Sequence, residues 1–420
     1  MSNTNEAMNE NDEVCGALTI LVLRYCWKAE TNKKTTTVVT DKETTTITKR
    51  ATSTISTPPQ TGPCEVKFET QNKYSTGSNS EPAFVLLTDI NDDNRPDIIV
   101  ANEYAYNVGI FLNDQGSFSS QHVTYSTGLG SYPQYISVVD VNNDSKPDII
   151  VANNAGNNVG VLINKGSGQF NTMQVYPTGA ETYPPAVAVA DINSDNKPDI
   201  IVTNRNTNTI GVFLNSGHGQ FSSQQLYQVP SGFGVMCPQV VDVNGDTHPD
   251  IIVANSGGAS IGIFFNTGYG IFINWTTFST GIDSQPKYVS VVDVNGDNKP
   301  DLIVGNFKTS NVGVLLNAGN GRFLNQTIYS TGPNSEPRSV FVADINCDYI
   351  PDIIVVNSNE QNIGIFLNFG NGTFQPQTTY ATGNHTKPWS VAVGNINDDN
   401  KPDIIFSDIY YSQIGILIRS

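Results

Sequence analysis

Seven short loops carry most of the residues that could hold a metal or a charged reactant. Each sets oxygen-bearing side chains at its first, third, fifth and ninth positions: Asp89, Asn91, Asp93 and Asp97; Asp140, Asn142, Asp144 and Asp148; Asp191, Asn193, Asp195 and Asp199; Asp242, Asn244, Asp246 and Asp250; Asp293, Asn295, Asp297 and Asp301; Asp344, Asn346, Asp348 and Asp352; and Asn395, Asn397, Asp399 and Asp403. Alternate side chains of a tight loop converge on one point, and an oxygen-only donor set suits a hard cation such as Ca2+, up to seven ions in all. Asn, Asp and Pro also make good turns, but turn chemistry does not call for acids at three fixed positions in six copies.

The loops begin 51 residues apart, and a fixed period over most of 420 residues argues for one closed array in place of several domains. Before each loop apolar residues alternate, as at Ile136 and Val138 or Val289 and Val291, which marks a strand. After it comes a continuous apolar run such as 147–153, suited to a strand buried on both faces. A third strand follows at 158–164. A Gly-rich turn then leads through Phe170 to a fourth strand ending near Tyr176, with aromatic residues recurring there at Tyr74, Tyr125, Tyr227, Phe278, Tyr329 and Tyr380.

Four short antiparallel strands, seven times over, predict an all-β chain folded as a seven-bladed β-propeller across residues 63–420. No window of the repeats carries a 3.6-residue apolar period, which excludes a helical solenoid. The last repeat stops in its third strand while Phe68 to Gly77 precedes the first full repeat, so the N-terminal strand is expected to complete the last blade and leave no open seam.

The formal charge of −17 argues against a nucleic-acid partner, which needs Lys and Arg for its phosphates. Twenty of the 39 acidic residues are aspartates at the first, fifth and ninth loop positions, and seven divalent ions would add +14 to the −17 and leave about −3. The five cysteines, at 15, 26, 64, 237 and 347, show no metal-ligand spacing and no disulfide framework, and read as small buried or surface thiols.

Residues 1–62 differ in kind. Val14 to Leu23 is an apolar run too short to span a bilayer and closer to the core of an export signal, although acids stand where a basic flank is expected. It predicts a signal or a membrane tether. The Thr- and Ser-rich tract behind it cannot build a core and reads as a disordered, stalk-like linker.

The loop pattern Asp-x-Asn-x-Asp-x-x-Pro-Asp, with Asn-x-Gly-Asn-Gly-x-Phe at Asn317 to Phe323 and Asn368 to Phe374, resembles the FG-GAP or VCBS-type repeats of integrin α-subunit propellers and related extracellular proteins. The resemblance implies calcium at the blade bottoms and ligands met by loops on the opposite face. It adds a seventh-position backbone carbonyl to each site, from Arg95, Lys146, Lys197, His248, Lys299, Ile350 and Lys401. The family often has Gly at the sixth position, where φ can be positive; here Asn94, Ser145, Asn196, Thr247, Asn298, Tyr349 and Asn400 stand there. The sixth loop, with Cys347, Tyr349 and Ile350, and the seventh, which opens on Asn395, depart furthest from the pattern.

Loops between second and third strands vary where the rest of the repeat does not, and their Tyr, Asn and Ser content suits adaptable recognition. Tyr104, Tyr106, Phe307, Tyr410 and Tyr411 lie in them, and Trp389 begins the innermost strand of the last blade near the channel mouth; these are the candidate ligand-binding residues. His122, His218, His248 and His385 fall on different parts of the repeat and no catalytic set is readable, so the chain is not expected to be an enzyme. The alternative is a carbohydrate-active lyase or hydrolase on the same scaffold, which would need a Lys, Arg or Tyr base converging on one loop face. The expectation is an extracellular, calcium-binding, monomeric adhesion or recognition module for a protein or glycan. Sequons at Asn274, Asn325, Asn371 and Asn384 agree with it.

Overall fold

The computed structural model describes residues 65–119, 122–230 and 234–420. The expected signal or tether, the stalk, and Cys15, Cys26 and Cys64 lie outside the described residues. Seven four-stranded antiparallel sheets stand around a central channel. The second blade shows the plan: Pro133–Val139 innermost, then Asp148–Asn153, Asn158–Leu162 and Gln174–Pro177 outermost. Among the described residues no helix is long and apolar enough to cross a membrane.

The uninterrupted Asp-Ile-Ile-Val run follows from where its strand sits. Ile149 and Val151 join a core shared with Leu86 and Ile110 of the first blade, whereas Ile150 and Ala152 face Val187 and Val202 of the third. Successive side chains of a strand point to opposite faces, so a strand between two neighbouring blades must be apolar at every position. The innermost strand borders the channel on one edge, which is why a proline such as Pro238 is tolerated there; the register slips between Val235 and Pro238.

The ring closes as expected. Phe68–Ser75 pairs with Gln413–Arg419, Tyr74 opposite Ile414, and forms the outer strand of the sheet built from the C-terminal residues. One expectation is corrected: the stretch from Phe170 to Tyr176 is not one strand. Gln169–Phe170 folds back on Asn164–Gly166 as a small separate hairpin, and the outer strand starts afresh at Gln174. The separation comes from Asn171, whose amide bonds the Ile163 carbonyl and turns the chain. In the fourth blade, with Phe272–Ser279, and in the last, with Phe68–Ser75, the outer strand runs through. The glycine at the middle of each third strand also has a packing reason: a Cβ on Gly262 would run into the Trp275 ring laid across it from the outer strand.

Candidate functional site

At the lower ends of the blades, the seven loops share one backbone path. Positions four and six both adopt left-handed φ, as at Asn143 (64°) and Ser145 (65°), Gly245 (83°) and Thr247 (73°), and Cys347 (61°) and Tyr349 (66°). The sequence pointed to the sixth position and missed the fourth. This alternation turns successive amides inward, and they close on the first-position carboxylate: Asp140 accepts from the amides of Asn143 at 2.7 Å, Asp144 at 3.2 Å and Ser145 at 2.6 Å. Asp144 in turn accepts from the Lys146 amide at 3.0 Å and the Lys146 ammonium at 3.2 Å. Burial alone would raise the Asp144 carboxyl, but these bonds and the lysine charge bring it below the ordinary value. The seventh loop keeps the left-handed pair, at Asp398 (62°) and Asn400 (61°), but its amides do not close on the first-position side chain: the Asn395 Oδ1 is buried without a partner.

The ninth-position aspartate is the structural pivot. Asp148 is fully buried and accepts from the Val141 amide at 3.0 Å and the Asn164 amide at 2.7 Å. Burial pushes its carboxyl up to about 6, against those two bonds, and Asp140 and Asp144 push it further. The same holds at Asp97, Asp301 and Asp403 (about 6) and at Asp199, Asp250 and Asp352 (about 7). Among the described residues no three His, Cys, Asp or Glu side chains are gathered as a metal-holding group; first-position oxygens are turned onto loop amides. The donor chemistry nevertheless fits a hard cation. An oxygen-only loop stands beside a buried carboxyl whose pKa is raised by burial and then by neighbouring carboxylates, a crowding of negative charge that a divalent ion would relieve.

Asn113, Asn164, Asn215, Asn266, Asn317 and Asn368, which stand where each third strand gives way to the turn, were given no role by the sequence. Each staples its blade to the one before: Asn164 Nδ2 donates to the Ile90 carbonyl at 3.0 Å and to the Pro147 carbonyl at 2.9 Å. Asn113 does the same across the closure, to Ile396 at 2.9 Å. Buried Arg419 stands at the corresponding place in the last blade and reaches Cys347 Sγ at 3.1 Å.

The opposite face is built differently. Two residues at the head of each innermost strand, in the third blade Pro185 and Ala186 just before it, line the channel mouth and enclose a cup of about 200 Å³. Its wall carries Arg205, Lys287, Arg338 and Trp389; its floor is Tyr135 and Tyr288, whose hydroxyls meet across the channel at 3.3 Å, with buried Cys237 beside them. Burial pushes the Cys237 thiol up to about 11 and holds both tyrosines protonated, so the floor is neutral. The Arg338 guanidinium lies 3.6 Å from the Trp389 ring centroid and 4.7 Å from that of Phe307; Lys287 approaches Phe307 at 5.6 Å and Lys387 approaches Trp389 at 5.5 Å. Burial, then Arg205 and Arg338, lower the Lys287 ammonium's pKa.

The candidate aromatic residues divide into three groups. Phe307 and Trp389 meet through Arg338 at the mouth. Tyr104 and Tyr106 pack edge-on against Tyr132, each at 5.1 Å, and Tyr410 against Tyr411 at 5.0 Å. Among the described residues no ring contact joins the second group to the third. Tyr104, Tyr410 and Tyr411 remain 48%, 67% and 47% exposed, so their rings are open to a partner, and Leu129 and Ile282 add exposed apolar tips to the same face. His122 stacks on Phe111 at 4.4 Å between ring centroids, and burial lowers its pKa. The four sequon asparagines are all exposed.

Sequence reasoning missed Arg205, Lys287, Arg338, Tyr135 and Tyr288. Reading one column of the repeat would have found the mouth: Ala83, Gln134, Pro185, Met236, Lys287, Arg338 and Trp389 stand at 51-residue intervals.

Six overlapping segments spanning 89–406 (89–151, 140–202, 191–253, 242–304, 293–355 and 346–406) match the FG-GAP-like repeat. No curated protein matches the chain. Among solved structures it is similar to virginiamycin B lyase from Staphylococcus aureus (15% identity, TM-score 0.60, covering 84% of this chain and 100% of that one). A lectin of Agrocybe aegerita that recognises non-reducing terminal N-acetylglucosamine is similar at 18% identity and TM-score 0.54, over 77% of this chain and 85% of that one. BBS1N, solved in complex with ARL6DN, is similar at 13% identity and TM-score 0.56, over 84% and 97%. At these identities the likeness is one of fold.

Proposed function

The chain belongs to the FG-GAP-like repeat family, and from that premise we propose that it is an extracellular recognition module: a propeller braced by calcium at its lower loops that meets a glycan or protein ligand with its upper face. The observation that carries this reading is the aromatic and cationic surface gathered there, with Tyr104, Tyr410 and Tyr411 exposed around a mouth walled by Phe307, Arg338 and Trp389. Large aromatics left in water supply stacking surface for sugar rings or anchors for a protein. A lectin among the similar structures supports recognition as a use of the fold.

In this reading the loop oxygens of positions one, three, five and nine, with the seventh-position carbonyl, would hold the calcium ions. Bound calcium supplies positive charge that balances the ninth-position carboxylates and ties each loop together. The ions would act as braces and not as reactants, because each loop reaches only its own strands and the next blade. The propeller works as a monomer, outside the cell, with the exposed sequons open to glycosylation.

A second reading, a carbohydrate-active lyase, is favoured by one observation: Lys287, Arg205, Arg338 and two tyrosines do converge on one face. Metal assistance from the loops is ruled out for it by distance. The mouth residues begin the innermost strand and the loops end it, about 20 Å away over seven residues.

The test is a glycan and extracellular-protein binding screen, followed by the triple change Tyr104→Ala, Tyr410→Ala and Tyr411→Ala. Loss of the ligand found, with calcium-dependent melting unchanged, is expected. Binding that survives the triple change but is lost on altering Asp93 or Asp297 in a folded protein would place recognition on the cation loops instead.

A further inference from the structure

The cup at the channel mouth has a sign opposite to that of the molecule. A chain with formal charge −17 and only 22 Lys and Arg residues brings Arg205, Lys287 and Arg338 to one cavity, and no Asp or Glu lines it. One acid pairs with the wall: Glu336 accepts from Arg338 at 3.4 Å, while Glu103 accepts from Gln134 at 3.0 Å and lies within the field of Arg205; among the described residues no acid forms an ion pair with Lys287. Arg338 keeps its Nε buried and without a hydrogen-bond partner, although a guanidinium carries five donors and a buried unpaired one is costly. The Trp389 and Phe307 rings lie against the guanidinium at 3.6 and 4.7 Å and one Nη donates to Glu336, so what remains for a ligand is the other N–H donors of the guanidinium plane. That edge matches a planar carboxylate, and Lys287 adds a point charge beside it.

The rest of the cup is neutral: Tyr135, Tyr288, Ser339, Ser390 and Gln134 bring hydroxyl and amide groups, and Phe84, Pro185 and Met236 are among the apolar residues between them. Such groups pair with hydroxyls. The volume of about 200 Å³ falls below the ~300–1,000 Å³ typical of sites for drug-sized ligands, so a single sugar-sized unit is the scale of occupant it admits. The Tyr135–Tyr288 contact makes the cup blind, so nothing threads through the channel and a chain can offer only its end.

We propose that the channel mouth binds the carboxylate of an acidic sugar unit, held by the in-plane edge of Arg338 and the Lys287 ammonium with the sugar hydroxyls on the tyrosine and serine floor. This rests on the recognition reading and names the ligand class at its centre. The acid can arrive as a free hexuronate or as the terminal residue of a glycan; the shared chemistry is one carboxylate on one polyhydroxylated ring.

The test is calorimetric titration of the full chain, in calcium, with glucuronate, glucose, inorganic phosphate, and two oligosaccharides that carry glucuronate either at the non-reducing end or only internally. Glucuronate is expected to bind, with glucose at least about tenfold weaker, the scale of one lost charged hydrogen bond. Arg338→Gln should weaken glucuronate about tenfold or more and Arg338→Lys less; Lys287→Met gives a second reading if the Arg338 variants fold poorly. The end-bearing oligosaccharide should bind and the internal one should not. Equal binding of glucose, of phosphate or of the internally substituted chain overturns the proposal, as does unchanged affinity in both Arg338→Gln and Lys287→Met. Should the screened ligand bind through the exposed tyrosines while glucuronate does not, this inference fails and the recognition reading stands; should neither bind, both fail.

Discussion

The two faces of the propeller are made from the same 51-residue repeat and have gone opposite ways. Below, seven loops trace one path, with left-handed residues at the fourth and sixth positions and an aspartate buried at the ninth in every blade. Above, one column of the repeat supplies Ala, Gln, Pro, Met, Lys, Arg and Trp in turn. A loop that packs only against its own strands and the next blade meets the same demands seven times. A channel mouth is shared by all blades, so its chemistry depends on what seven different residues add up to. Sameness below points to bracing, and difference above points to recognition.

Breaking the ring should have the largest effect. Removing residues 1–77 takes away Phe68–Ser75 and bares the edge of Gln413–Arg419, and the protein should aggregate or lose its cooperative melt, whereas removing 1–62 should leave the melt unchanged. Equal stability of the two would mean the lower and upper faces do not depend on a closed ring.

A pH series without calcium sharpens the contrast next. The seven ninth-position carboxyls are raised to about 6 or 7 in the folded state by burial, then by neighbouring carboxylates. A carboxyl with a raised folded pKa favours folding when protonated, so that stabilisation is complete below the unfolded value near 4 and is lost as pH rises through 6 to 7. The chelated protein should therefore melt at progressively lower temperature from pH 5 to pH 8, and calcium should flatten the slope. A flat profile without calcium would show that loop amides alone satisfy these groups.

Smaller still is the loss of one staple. Asn266→Ala removes donors to the Ile192 and Pro249 carbonyls at 2.8 and 3.0 Å and should cost about 2–3 kcal/mol in denaturant unfolding. A cost under about 0.5 kcal/mol would mean water replaces the staple. At the lower end, Thr247→Asn should stabilise by about 1 kcal/mol, because a β-branched residue is held at a φ of 73° that asparagine tolerates.

Much of this was legible in the sequence because repetition multiplies weak signals. One Asp-rich turn says little, but seven at a fixed period set the blade count, the strand order and the closing role of Phe68 to Gly77. What escaped was whatever spans blades. Asn164 looked like the end of a strand until its bond to Ile90, 74 residues earlier, came into view. Lys287, Arg338 and Trp389 are neighbours only because blades five, six and seven are wedges of one ring. The tyrosines of the first and last blades form two separate clusters, a contact pattern the sequence did not carry: Tyr132 of the next blade packs against Tyr104 and Tyr106, and Tyr410 packs against Tyr411.

The division of labour between the faces is tested most directly by thermal melting in calcium and in chelator, run on the unaltered chain, on Arg338→Gln and on a chain with Asp140, Asp144 and Asp148 changed to Asn. If calcium braces the lower loops, it should raise the melting temperature by on the order of 10 °C in the first two, through ions that bind only the folded state, and by visibly less in the third. Melting that ignores calcium in the unaltered chain, or a calcium response abolished by Arg338→Gln, would contradict it.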